Sequence, residues 1–350
     1  LTLSDLVVDG NRASSGGGLA ITANSATPPA TIIEDVTFSN NSAAFNGGGM
    51  FFETVSAVPT TLELTLSNVT FHSNRADNQG GGAVFDNAYI NVDTVYFFDN
   101  TVGVSNAALW AEGLRGDWTD LWVEGNQTDA GGNLVAYFYP NGLGPFSLDR
   151  ATFTGNTAGT ILMTSGHLFD DTTFSNIVVI DNIANDAGVG IGANHVFHNM
   201  VVAANSGVGM SISQAGSNMA TSISHVTVAH NDGHGIILSG DSALQTGTVA
   251  LFDSIVAFNG GSGVQGGAQN WEPAISYTNG YSNNGGDFIN FMTDPTGTNN
   301  NISVDPWFVD DGAVSPLDWD LSLQQGSQCE GVGTIGEDLG AHGGVEADIP

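Results

Sequence analysis

Hydrophobic and polar positions alternate in short runs that keep ending on asparagine: LVVDGN (6–11), VTFSNN (36–41), VTFHSN (69–74), VYFFDN (95–100), LWVEGN (121–126), ATFTGN (151–156), IVVIDN (177–182), MVVAAN (200–205), VTVAHN (226–231), SIVAFN (254–259) and a weaker TNGYSN (278–283). From Asn11 to Asn283 the ten intervals cover 272 residues, a mean near 27. A period of two puts alternate side chains on opposite faces of a strand, and a fixed spacing of this size marks a repeat. Asparagine is expected to turn the chain at each corner, because it tolerates the left-handed backbone and bonds to its own neighbours. A second strand follows, usually led by glycine, as in GGGLAI (16–21), GGGMFF (47–52), GGGAVF (80–85), GVGIGA (188–193) and GHGIIL (233–238).

Strand, corner, short strand and looser return make one coil, and no coil has a core until its neighbours cover it. Stacked in parallel, successive coils place like residues about 4.8 Å apart, asparagine over asparagine and phenylalanine over phenylalanine. A propeller blade needs a longer unit, and a sandwich needs turn signals every 8 to 12 residues, so neither fits. Glycine density and the period-two runs oppose a helical solenoid. The expected fold is all-β, a parallel solenoid of about 11 coils over residues 1–285, with closing coils and a cap over 286–350.

The paired signature, FSNN, FHSN, FFDN and FTGN beside GGGLAI, GGGMFF and GGGAVF, resembles the right-handed parallel β-helix repeats of polymorphic outer-membrane and autotransporter passenger proteins. The tail, NISVDPWFVDDGAVSPLDWDLSLQQGSQCEGVGTIGEDLGAHGG (301–344), is similar to the closing pattern of secreted bacterial β-helix proteins, with QCEG standing where Pro and Asp are usual. The resemblance implies a right-handed coil and a bacterial protein that is secreted or displayed on the cell surface. Such helices host lyases, hydrolases, adhesins and inert spacers alike.

If positions one and three of V-x-F-x-x-N point inward, positions two and four point out. The outward face then presents Tyr96, Phe98 and Trp122 on adjacent coils, a flat strip on which sugar rings can stack, with Glu124 as a hydrogen-bond acceptor. A return loop over 101–120, carrying Trp110 and Trp118, could instead cover these rings. From Val178, Ile180 and Val201 onward the outward face is apolar. That calls for cover by the C-terminal segment, or for a protein partner or self-association. Threonines at the second position (Thr37, Thr70, Thr152, Thr227) are too interrupted for an ice- or mineral-binding array.

Charge narrows the partners. Thirty-six acidic residues face four arginines and no lysine, a net charge of −32, which excludes nucleic acid binding and disfavours anionic membranes. No run is long and apolar enough to span a membrane, and no signal peptide opens the chain, which reads as a piece of a longer protein. Cys329 is the one cysteine, so neither an internal disulfide nor a cysteine-based zinc site is available.

No cofactor is required by this reading, although Asp310, Asp311, Asp318 and Asp320 in DDGAVSPLDWD could chelate Ca2+ without the ordered spacing of an EF-hand. Histidines gather at His195, His198, His225, His230 and His234, but at different phases of the repeat. The favoured function is a non-catalytic surface module, structural or adhesive, that binds a polysaccharide or cell-surface glycan. The alternative is a polysaccharide lyase or glycoside hydrolase using the carboxylate pair Asp170 and Asp171, with Arg115 or Arg150 as the basic residue of a lyase.

Overall fold

The computed structural model describes residues 1–23, 30–54, 63–129, 133–140, 144–166, 172–192, 195–214, 220–240, 248–266, 273–291 and 293–341. They form an all-β parallel solenoid of about nine turns, fewer than the eleven that the asparagines suggest. Apart from a 3₁₀ turn at Pro316–Asp318, the described residues are strands and their connections, and no helix among them is long and apolar enough to cross a membrane. The chain divides into two compact units, Leu1–Thr172 and Thr173–Pro350.

In the first unit the long strands Thr2–Asp9, Thr31–Ser39, Glu63–His72, Tyr89–Phe98, Gly116–Glu124 and Phe146–Thr154 pair in parallel in chain order. A second parallel row is formed by Leu19–Ala23, Met50–Thr54, Ala83–Asp86, Leu109–Leu114, Leu134–Pro140 and Thr157–Ser165. Register sets Phe38 beside Phe71, Phe71 beside Phe97 and Val123 beside Phe153. The rings of Phe38, Phe71 and Phe97 are buried and stack at 5.1 and 4.8 Å, so each coil's inward side chain is covered by its equivalent in the next.

The asparagines do different work from that expected. The left-handed residue is the one before each asparagine, for example Asn40, Ser73 and Asp99 with φ near +53°. From Asn41 to Asn283 the corner asparagine itself points inward and is buried, whereas Asn11 on the first coil is exposed. Asn100 Oδ1 accepts from the backbone N–H (3.0 Å) and the side-chain amide (3.1 Å) of Asn74, while its own amide donates to Phe71 O (2.8 Å) and to Asn126 Oδ1 (3.0 Å). Each corner thus satisfies buried polar groups of its neighbours, which bare backbone turns would leave orphaned.

The glycine triplet after the corner answers to close approach. Gly47 has φ +68°, and a Cβ at Gly48 would lie 2.2 Å from the carbonyl of Gly81, so only glycine lets consecutive coils meet there.

The second unit repeats the plan with Thr172–Ile180, Val196–Ala203, Ala220–Ala229, Thr248–Ala257 and Ala274–Tyr281 as long strands. Its asparagine ladder runs through Asn182, Asn205, Asn231, Asn259 and Asn283 and ends on Asp287, whose Oδ1 accepts from Asn283 N (3.2 Å) and Nδ2 (2.9 Å).

The outward apolar face of this unit is covered by the chain itself. Ile180, Val201, Ala203, Ala229, Ile255 and Ala257 form one buried cluster with Phe308, Leu321, Cys329, Leu339 and Ala341, and Val178 packs against it. The expectation of a partner or self-association surface at Val178, Ile180 and Val201 is therefore corrected. Ile180 and Val201 are only 4% and 5% exposed, because the C-terminal segment already occupies that face. Cys329, in the QCEG departure, is part of the covering layer, and burial pushes its thiol up to about 12.

Candidate functional site

With the second unit's long-strand face covered, partly exposed aromatic chemistry concentrates on the strands of the first unit. Tyr96 and Phe98 stand two residues apart on Tyr89–Phe98, so both point outward, and their rings stack at 5.7 Å with an interplanar angle of 18°. Register puts Trp122 beside Tyr96 and Glu124 beside Phe98. Trp122 Nε1 donates to Glu124 Oε2 at 2.9 Å, which fixes the indole and uses one of the two carboxylate oxygens.

All three rings are half-buried and Glu124 is exposed. On the preceding coil, His72 sits beside Phe98 in register and lies 3.6 Å from the Asp99 carboxylate. The strip is thus a platform of adjacent aromatic rings with polar side chains along one edge.

The segment expected to fold over these rings does not. Trp110 lies on the second-row strand Leu109–Leu114, and Trp118 points into the core at 1% exposure, edge-on to Phe85 and Phe138. Residues 101–120 are mostly part of the coil rather than a return loop.

A second outward face, unforeseen from the sequence, lies on the second-row strands. Register aligns Glu53, Asp86, Glu112 and Tyr139 in one column, and Phe51, Val84, Trp110 and Tyr137 in the next. Burial, then the charges of Glu112 and Glu53, push the Asp86 carboxyl up to about 6, and Asn87 Nδ2 donates to its Oδ1 at 2.6 Å. Tyr137 and Tyr139 stack at 6.1 Å, and burial raises the Tyr137 phenol. One signal was available: Glu53 and Asp86 are each the fourth residue after a glycine triplet.

The remaining candidates scatter. Asp170 and Asp171 lie outside the described residues. Arg150 grips Asp120 through Nε (2.7 Å) and Nη2 (2.8 Å), and Asp149 through Nη1 (2.8 Å), so its guanidinium is committed to ion pairs. Arg115 sits at the junction of Leu109–Leu114 and Gly116–Glu124, where burial lowers its pKa.

Asp310, Asp311, Asp318 and Asp320 do not converge. Asp311 pairs with His230 at 3.0 Å, Asp310 accepts from Gly312 N, Asp320 accepts from Ser322, and Asp318 lies in the 3₁₀ turn. The histidines also part company. His195 packs beside the stacked rings of Phe174 and Phe197, and His234 Nδ1 accepts from Ser262 N, whereas His198 meets His225 at 5.0 Å. Among the described residues, the set of metal-capable side chains that does gather is His225, Asp253 and Glu337.

Comparison with known proteins adds no relative to this geometry: no family model matches the chain, and no curated protein matches it.

Proposed function

We propose that the protein is an extracellular, non-catalytic β-solenoid, a structural or adhesive surface module that holds a neutral glycan on the strip formed by Tyr96, Phe98, Trp122 and Glu124. The carrying observation is the pair of stacked, half-buried rings at 5.7 Å with Trp122 on the next coil, its indole oriented by Glu124. Aromatic faces receive the apolar faces of sugar rings, and carboxylates and imidazoles along the edge exchange hydrogen bonds with hydroxyls. Neutrality of the ligand follows from charge. A surface of net charge −32 with four arginines, two of them in ion pairs, repels uronic acids and sulfated sugars. The resemblance to surface-displayed passenger repeats supports the extracellular setting.

A second reading, a glycoside hydrolase, is favoured by one observation: Asp86, its carboxyl pushed up to about 6, stands between the carboxylates of Glu53 and Glu112, with Trp110 on the adjoining strand. A carboxyl held partly protonated near neutrality is the form a general acid requires.

A glycan array of neutral and acidic sugars, run beside a reducing-sugar assay, separates the two. Retention of neutral glycans without new reducing ends, lost in Tyr96→Ala, supports the binding module. Turnover that Asp86→Asn abolishes would replace it with the hydrolase.

A further inference from the structure

The long strands of the second unit each carry one left-handed residue near their middle: Asn176, Asn199, His225, Asp253 and Tyr277, with φ between +48° and +56°. Parallel register stacks them in one column. At its start the column is satisfied within itself, since Asn199 Nδ2 donates to Asn176 Oδ1 at 2.7 Å. At His225 and Asp253 it changes character.

His225 is 7% exposed, and neither of its ring nitrogens has a hydrogen-bond partner. Such a group is costly to bury. Asp253 is 1% exposed, and the C-terminal segment folds onto it. Thr334 donates its backbone N–H to Oδ1 (2.7 Å), its hydroxyl lies 2.7 Å from Oδ2 and 2.9 Å from Oδ1, and Gly340 N donates to the Asp253 carbonyl (2.9 Å). A Cβ at Gly333 would lie 3.0 Å from Asp253 Oδ1, so glycine permits this approach. The same turn, closed by Gly333 N donating to Glu337 O at 2.8 Å, carries Glu337 in. One ligand atom each of His225, Asp253 and Glu337 lies within 4.8 Å of the other two.

We propose that His225, Asp253 and Glu337 bind one divalent cation of the zinc type, which staples the C-terminal segment to the strands it covers. The geometry explains what the protein alone does not: a buried imidazole with two unused nitrogens faces two carboxylates that repel each other. One imidazole and two carboxylates form a mixed nitrogen and oxygen set. It suits Zn2+ and its neighbours better than Ca2+, which takes six to eight oxygens. Ligands of a tetrahedral zinc ion lie about 3.3 Å apart, so the present spacing closes by small side-chain rotations. Thr334 orients the Asp253 carboxylate by hydrogen bonds that leave each oxygen a second lone pair, as partners beyond the ligands of metal sites do. The inference is independent of glycan binding, because it uses the covered face of the second unit.

The test titrates the intact, chelator-stripped protein with ZnCl2 by calorimetry in excess CaCl2, and follows Tm in parallel. The expected result is one site per chain and a Tm that rises with Zn2+. His225→Asn continues the asparagine pairing already present at Asn176 and Asn199, so it preserves the column. It and Glu337→Gln should each weaken Zn2+ binding at least tenfold and abolish the Tm rise, while Asp318→Asn leaves both unchanged. No uptake by the stripped wild type, equal uptake by the two site variants, or displacement of Zn2+ by Ca2+ would overturn the proposal.

Discussion

The long strands of the two units share one inward design and part at the outward face. In the first, Phe38, Phe71 and Phe97 stack inside while Tyr96, Phe98 and Trp122 stand half-exposed outside. In the second, Phe174 and Phe197 stack inside at 5.0 Å, but Ile180, Val201 and Ile255 outside are sealed beneath Phe308, Leu321 and Leu339. The same coil therefore serves as platform or as core according to what occupies its outward positions. Amphipathic rings that tolerate water remain available to a ligand, whereas aliphatic side chains recruit a covering layer.

Breaking the inward design should hurt both units equally. Asn100→Ala and Asn231→Ala each strand a backbone N–H of the preceding coil, at Asn74 and Asn205, and remove the amide that donates to a buried carbonyl, Phe71 O and Val202 O, and each should cost about 4 kcal/mol at one to three per orphaned buried group. Urea unfolding measures this, and a large cost in one unit with none in the other would break the symmetry.

Breaking the cover should separate the units. Leu339→Ala removes a fully buried side chain and should cost about 3 kcal/mol in the same experiment. Phe98→Ser, at the half-exposed counterpart, should cost under about 1 kcal/mol.

Between these lies Asp86→Asn. The folded carboxyl is raised from 3.8 to about 6, so the native state binds more protons than the unfolded chain between those values. Stability from this group therefore falls as pH rises from about 4 to 6, and the penalty is fully present at neutrality. After allowance for solvent screening of a half-exposed group, the amide should stabilise the protein by about 1 kcal/mol at pH 7 and by nothing near pH 3. Thermal melts at both pH values check the sign.

What could be read in advance was whatever repeats. Inward positions recur with the asparagines, so the solenoid, its parallel register and the phase of Tyr96, Phe98 and Trp122 were legible. The asparagine role was misjudged because alternation cannot distinguish the left-handed residue from the one after it. Ser73 and Asp99 take the bend while Asn74 and Asn100 bridge coils.

The column of Glu53, Asp86 and Glu112 was missed because its members differ in type and only the first two follow a glycine triplet. His225, Asp253 and Glu337 come together through a mid-strand bend and a distant covering turn, and neither leaves a spacing to recognise.

The most direct test of the central claim, that the exposed aromatic platform is the functional face, is calorimetric titration of the neutral glycan selected by the array into wild type and Trp122→Ala. The account predicts saturable binding by the wild type and at least tenfold weaker binding by the variant, about 1.4 kcal/mol, with its melting temperature little changed. Equal affinity in the two proteins, or no neutral glycan bound by the wild type, would contradict it.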